Sequence, residues 1–121
     1  MLLAHGGTVP AQTPKQPAGA SAQIAQGAEH YQPNCALCHG VDGQGGKVFP
    51  RPIWGRGHDL AKFGNARGLF EYMRLLMPFD DPQKMSDEQK WAVIAYMLER
   101  NGTIKAPDTL EPAKAAGIAI K

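Results

Sequence analysis

Asn34-Cys35-Ala36-Leu37-Cys38-His39-Gly40 contains both cysteines of a 121-residue chain, with two residues between them and a histidine directly after the second. This is the C-x-x-C-H arrangement of covalent c-type haem attachment. Two thiols so spaced can each add to a vinyl group of one porphyrin, and the adjacent imidazole is then placed to ligate the iron. Other uses of the pattern fit less well. A redox dithiol leaves His39 idle and lacks the βαβ pattern such motifs accompany. A zinc site wants four ligands, and the chain has no second Cys pair. A disulfide between Cys35 and Cys38 would close a very short loop and stabilise little. The expectation is one haem c held through Cys35 and Cys38, with His39 on the iron.

Composition sets the limits around this motif. A chain of 121 residues is one domain with a thin core, which a buried porphyrin would enlarge. With 14 Gly and 10 Pro, much of it is loop. The formal charge of +2 would be offset by two haem propionates, so no nucleic-acid partner and no anionic membrane is expected. No apolar run reaches the ~18 residues of a membrane span. The first seven residues have neither a charged n-region nor an apolar h-region, so they are not a complete secretory signal. Covalent haem attachment takes place on the exported, oxidising side of a membrane. A removed leader and a periplasmic location are therefore expected.

Residues 1–20, with Pro10, Pro14 and Pro17 and no apolar periodicity, read as a flexible N-terminal arm. A first helix is predicted from Ser21 to Tyr31, with Ile24, Ala25, Ala28 and Tyr31 on one stripe and Pro33 breaking it. Gly27 inside that helix costs up to about 1 kcal/mol relative to Ala, which points to a close crossing by another element. Residues 40–57 are a glycine-rich loop. Within it, Phe49, Ile53 and Trp54 offer apolar surface to the cofactor, and Arg51, Arg56 and the Trp54 N–H offer donors to its propionates. Trp54 as plain core is an equal alternative. Asn65 caps a second helix, 66–76, which Pro78 stops and whose Leu69, Phe70, Met73, Leu76 and Met77 share a face. Ser86-Asp87-Glu88-Gln89 is a capping box opening a third helix that runs to about Arg100, with Trp91, Ile94, Ala95 and Leu98 as its stripe. The tail, 103–121, either wraps the surface or stays loose. The domain proper is residues 21–102, and 103–121 is a C-terminal extension.

The order of these features resembles the class I cytochrome c family over about residues 21–102. The shared features are a helix with an internal Gly and an aromatic, C-x-x-C-H-G, a glycine-rich loop, Met-Pro, and a last helix containing Ala-Tyr. The resemblance implies an all-α cytochrome c fold, with three main helices and long loops around one covalent haem. It also implies that Gly27 and Tyr31 of the first helix pack against Tyr96 of the last. Met77-Pro78 through Ser86-Asp87-Glu88 and Val93-Ile94-Ala95-Tyr96-Met97-Leu98 look like the bacterial branch found in haem subunits of periplasmic dehydrogenases acting on sulfite, thiosulfate or alcohols. One departure concerns the imidazole. Where the family often has Pro-x-Leu-x-Gly, this chain has Arg51-Pro52-Ile53-Trp54-Gly55, so the carbonyl of Arg51 or Pro50 would have to accept from His39.

The second axial ligand is expected to be Met77, because Pro78 turns the backbone away there and exposes the thioether; the family also favours Met followed by Pro. Met85 is the runner-up, although its place before a capped helix suits an apolar anchor. Met73 and Met97 lie inside helices, Met1 lies in the arm, and His30 and His58 are the bis-histidine alternatives. With His39 and Met77 both bound, the iron has no vacancy. The expected function is then one-electron transfer without substrate chemistry, from a dehydrogenase donor to a cytochrome or terminal oxidase. The rival is a haem enzyme or ligand sensor whose sixth ligand dissociates. Basic residues prevail from Lys47 to Arg74 and acidic ones from Asp80 to Glu99. That asymmetry would steer a redox protein partner, or else be two ordinary solvated faces.

Overall fold

The computed structural model describes residues 17–121, so most of the expected arm lies outside the described residues. Three helices carry the fold: α1 (Ala22–His39), α2 (Ala66–Leu76) and α3 (Asp87–Arg100), joined by loops with 3₁₀ turns at Leu60–Phe63, Pro82–Lys84 and Pro112–Gly117. Among the described residues the β pairing is an isolated bridge between Asn65 and Ala119. Each helix starts where a short polar side chain accepts an orphan amide. Ser21 Oγ accepts from Ile24 N (3.2 Å) and Asn65 Oδ1 from Gly68 N (2.9 Å). Ser86 and Gln89 exchange bonds of 3.1 and 2.9 Å as the expected capping box.

Helix α1 does not stop at Pro33. It runs on through the Cys35–His39 motif with Pro33 inside it. A proline here removes the amide that would bond the Glu29 carbonyl. Glu29 and Pro33 are both exposed, so water can serve that carbonyl. One residue on, Asn34 Nδ2 adds a 2.9 Å bond to the His30 carbonyl.

The core forms where α1 meets α3. Gly27 is buried, and a Cβ built on it would stand 1.9 Å from the Ala92 carbonyl oxygen and 2.9 Å from Tyr96 Cβ. The two backbones are therefore in direct contact. Beside this point Tyr31, Tyr96 and Trp54 form a three-ring cluster, with centroids 5.2 Å (Tyr31–Trp54), 5.7 Å (Tyr31–Tyr96) and 5.7 Å (Trp54–Tyr96) apart. On another face of α3, Phe70 of α2 stacks on Trp91 at 4.0 Å. Packed on both sides, α3 is buried at every residue from Lys90 to Leu98, a wider face than the predicted stripe. The Lys90 side chain reaches the carbonyls of Met73 (3.0 Å) and Arg74 (2.9 Å) at the end of α2. On α2 the predicted apolar face holds for Leu69, Phe70 and Met73, whereas Leu76 is exposed.

The tail wraps the surface. Gln23 and Leu110 exchange bonds of 3.0 and 2.7 Å, Ala66 N donates to Ile118 O (2.9 Å) and Ile120 N to Gly64 O (3.0 Å). Leu110, Ala115 and Ile120 are buried there.

The contact at Gly27 sets two effects against each other. Helix propensity alone favours Gly27→Ala by about 1 kcal/mol. The added methyl would collide with rigid backbone, and overpacking of that kind costs about 3 kcal/mol. Packing should win, so urea unfolding of Gly27→Ala is expected to show a net loss of about 2 kcal/mol. An unchanged or raised midpoint would show that the helices part without cost.

Candidate functional site

The site is built from the last turn of α1 and the loop that follows it. Cys35 and Cys38, both free thiols, lie three residues apart on α1, and His39 is its final residue. The chain leaves α1 at Gly40, whose φ of 88° suits glycine. Its carbonyl accepts a 2.6 Å bond from the Tyr31 hydroxyl. Burial raises the Tyr31 phenol far above its ordinary range, so it remains a donor. One ring of the core cluster thus fixes the residue directly after the motif.

Burial also sets the protonation of the motif. The Cys35 thiol is pushed up to about 12, first by desolvation and further by Cys38, against a lowering by Lys84. A reactive dithiol needs the opposite shift, toward thiolate. His39 is lowered by desolvation, which favours the neutral imidazole. Its Nδ1 is buried and has no hydrogen-bond partner among the described residues. The expected bond from the imidazole to the carbonyl of Arg51 or Pro50 is therefore not made through this nitrogen. Phe49 meets the ring edge-on at 4.9 Å.

The loop residues divide differently from expectation. Ile53 is buried in the core cluster. Trp54 packs among the core rings and over Gly43, where an added Cβ would lie 2.6 Å from the indole. Arg51 Nε donates to Asp59 Oδ2 (3.0 Å), and its Nη2 pairs with Asp59 Oδ1. The sequence reading named Arg51 as a donor without seeing that Asp59, eight residues on, holds it. Arg56 is exposed.

Met77 follows α2 in an extended conformation and is half-buried, its amide donating to the Met73 carbonyl (3.0 Å). Met73, Met85 and Met97 are buried in the core. Among the described methionines, Met77 alone is not buried. His58 is committed elsewhere: its Nδ1 accepts from Leu60 N (3.1 Å), leaving Nε2 to donate to Lys121 O (3.0 Å). His30 is half-buried on α1.

The distribution of apolar surface bears on what the site can hold. Every exposed large apolar side chain among the described residues falls within 37–48 (Leu37, Val41, Val48) or 75–79 (Leu75, Leu76, Phe79), with Leu37 at 90% and Phe79 at 80% exposure. These two stretches flank the Cys-His motif and Met77. Two thiols, a neutral half-buried imidazole, a thioether and exposed apolar side chains on the same stretches are the donors and apolar surface that haem c requires. The residues fit the group. No helix among the described residues is long and apolar enough to cross a membrane.

Comparison with known proteins gives a consistent pattern. Residues 22–97 match the family described as cytochrome C oxidase, cbb3-type, subunit III. A thiosulfate dehydrogenase of Stutzerimonas stutzeri is 37% identical over 84 residues, which are 61% of this chain and 26% of that protein. The chain spans about a quarter of the length of the curated relatives it matches. The sulfane dehydrogenase SoxCD of Paracoccus pantotrophus superposes with a TM-score of 0.62 at 22% identity, over 84% of this chain and 53% of that one, a likeness of fold. The thiosulfate dehydrogenase TsdBA of Marichromatium purpuratum superposes with a TM-score of 0.52 at 30% identity, over 69% of this chain and 19% of that one.

The Arg51–Asp59 pair yields a pH prediction. Its hydrogen bond from Arg51 holds the Asp59 carboxyl below its ordinary value of 3.8. A depressed folded-state value contributes stability that is present above the unfolded value and lost as pH falls through the folded one. Asp59→Asn should therefore be less stable than the parent at pH 7, with the gap closing as pH falls below 3.8 through the lowered folded-state value. Thermal melts across that range check it; a gap independent of pH would contradict it.

Proposed function

We propose, from the premise that the chain belongs to the cytochrome C oxidase, cbb3-type, subunit III family, that it carries single electrons in a dehydrogenase system. The all-α cytochrome c fold expected from the sequence is the fold of this family and of its structural relatives. The observation that carries the functional reading is the last turn of α1, where two free thiols precede a half-buried imidazole whose Nδ1 is buried and unpartnered.

In this reading Cys35 and Cys38 would hold haem c, and His39 and Met77 would ligate its iron. When bound, haem c supplies an iron that cycles between the ferric and ferrous states by one electron. Cys35 and Cys38 would supply the thiols for its attachment, each bringing its own proton to a vinyl group with nothing released. His39 brings a neutral nitrogen, and Met77 a soft thioether that favours the ferrous state. Phe49 excludes water beside the imidazole, Ile53 packs into the core, and Trp54 braces the glycine-rich loop. Arg51, held by Asp59, shapes the loop rather than meeting a propionate. Residues 21–102 form the domain, and the segment beyond it supports α2 from outside.

The donor we favour is a periplasmic dehydrogenase of the thiosulfate-oxidising kind, because the relatives bear that name. The acceptor would be another cytochrome or an oxidase. The relatives' names also favour a second reading, in which this chain is itself part of an enzyme and Met77 leaves the iron to admit a ligand. Mixing experiments separate the two. Reduction by a thiosulfate-oxidising dehydrogenase, with no reduction by thiosulfate alone and no CO uptake by the ferrous protein, is the expected result. Rapid CO binding or direct turnover of thiosulfate would favour the enzyme.

The ligand assignment has its own test. The oxidised protein should show the weak far-red band of a thioether on ferric iron, and Met77→Ala should abolish it and lower the reduction potential. A band that survives Met77→Ala but disappears in Met85→Ala would transfer the role to Met85.

A further inference from the structure

Lys90 is 2% exposed, the one charged side chain in the buried core of the described residues. Lysine is rarely so buried without a reason. Its Nζ donates to the carbonyls of Met73 (3.0 Å) and Arg74 (2.9 Å). These are among the last four carbonyls of α2, which lack the amides a longer helix would provide. The Met73 carbonyl still receives the Met77 amide at 3.0 Å. The Arg74 carbonyl would take the amide of residue 78, but residue 78 is proline and has none. Lys90 supplies the missing donor. Its charge also suits the negative end of the helix dipole. Outside it, Arg74 Nε and Asp87 Oδ2 lie 3.6 Å apart across the same junction.

We propose that Lys90 is the positioning residue for Met77: its ammonium replaces the N–H that Pro78 lacks and fixes the direction in which the Met77 segment leaves α2. The inference rests on the reading of Met77 as the axial ligand. Lys90 touches neither the thioether nor the iron, and it acts through the backbone that presents Met77. Burying a cation is costly unless its hydrogen bonds are satisfied, and a plain helix end would be served by water at no such cost. A burial aimed at the turn carrying Met77 ties that cost to the place of the ligand.

The test uses the ferric holoprotein and competition by imidazole for the methionine position. Lys90→Met removes both bonds and keeps the apolar stem. Imidazole should then bind about tenfold more tightly, because hydrogen bonds from a charged donor no longer hold the segment. The far-red band should weaken and the potential fall. Lys90→Arg keeps charge and donors and should restore most of the native behaviour. Phe70→Leu serves as the control for general stability, since it loosens the same α2–α3 contact away from the helix end. It should lower the melting temperature and leave imidazole affinity unchanged. Should Lys90→Met fail to assemble, Lys90→Gln carries the same expectation. Native affinity in the Lys90 variants, or equal shifts in them and in Phe70→Leu, would overturn the inference. A band lost in Met77→Ala but untouched in Lys90→Met sinks this inference alone. A band that survives Met77→Ala sinks the ligand reading and the inference together.

Discussion

The contact of the Ala92 carbonyl with the Cα of Gly27 is what the rest of the molecule depends on. A side chain at position 27 would have to share space with α3 backbone, so the two helices can meet at this depth only through glycine. That contact lies eight residues before Cys35, about 12 Å along the axis at 1.5 Å per residue. Because α1 continues through Pro33 into His39, the motif belongs to the same rigid rod as Gly27. The position of two thiols and an imidazole is therefore set by a packing contact more than two turns away. A helix broken at Pro33 would have left the motif on a loop, with its place decided by local turns alone.

Helix α3 passes this placement across the molecule. It is buried from Lys90 to Leu98, with α1 against one side and α2 against another. The Tyr31, Tyr96 and Trp54 rings fill the space beside the first junction, and the Phe70–Trp91 stack fills the second. Two of those rings reach directly into the site. The Tyr31 hydroxyl holds the Gly40 carbonyl, and Trp54 lies over the Gly43 backbone, where no β-carbon fits. The aromatic cluster thus anchors the glycine-rich loop as well as the core. This accounts for Trp54 and Ile53 facing inward, where the sequence left cofactor contact and core packing equally open for Trp54.

What could be read in the sequence was whatever is local or rests on a spacing. The caps at Asn65 and Ser86, the stop of α2 before Pro78, the close approach at Gly27 and the Cys-x-x-Cys-His turn all come from residues within a few positions of each other. Three features escaped, each for a physical reason. Proline is a helix breaker only where the lost bond cannot be served, and the sequence does not reveal that Glu29 and Pro33 face water. The tail of residues 103–121 shows no periodicity because it packs through isolated residues, Leu110, Ala115 and Ile120, and borrows hydrogen bonds from elements far away in the chain. Lys90 looked like an ordinary polar position of α3. Its only signal was a proline twelve residues earlier that leaves a carbonyl without an amide, and this gains meaning once α2 and α3 are known to touch.

Burial has opposite effects on acids and bases, and at this site both effects lead to the same state. Desolvation penalises charge, so it raises the Cys35 thiol and lowers the His39 imidazole. Both groups are thereby held neutral. A neutral thiol brings its own proton to addition across a double bond, and a neutral imidazole brings a free lone pair to a metal. The apolar side chains left exposed at 37–48 and 75–79 complete the argument, because a flat apolar group lying against them would add the burial that so small a core lacks. In the proposed reading, attachment chemistry, ligation and core completion would draw on one property of the site, its low polarity. A charged substitution in either stretch should disturb all three together.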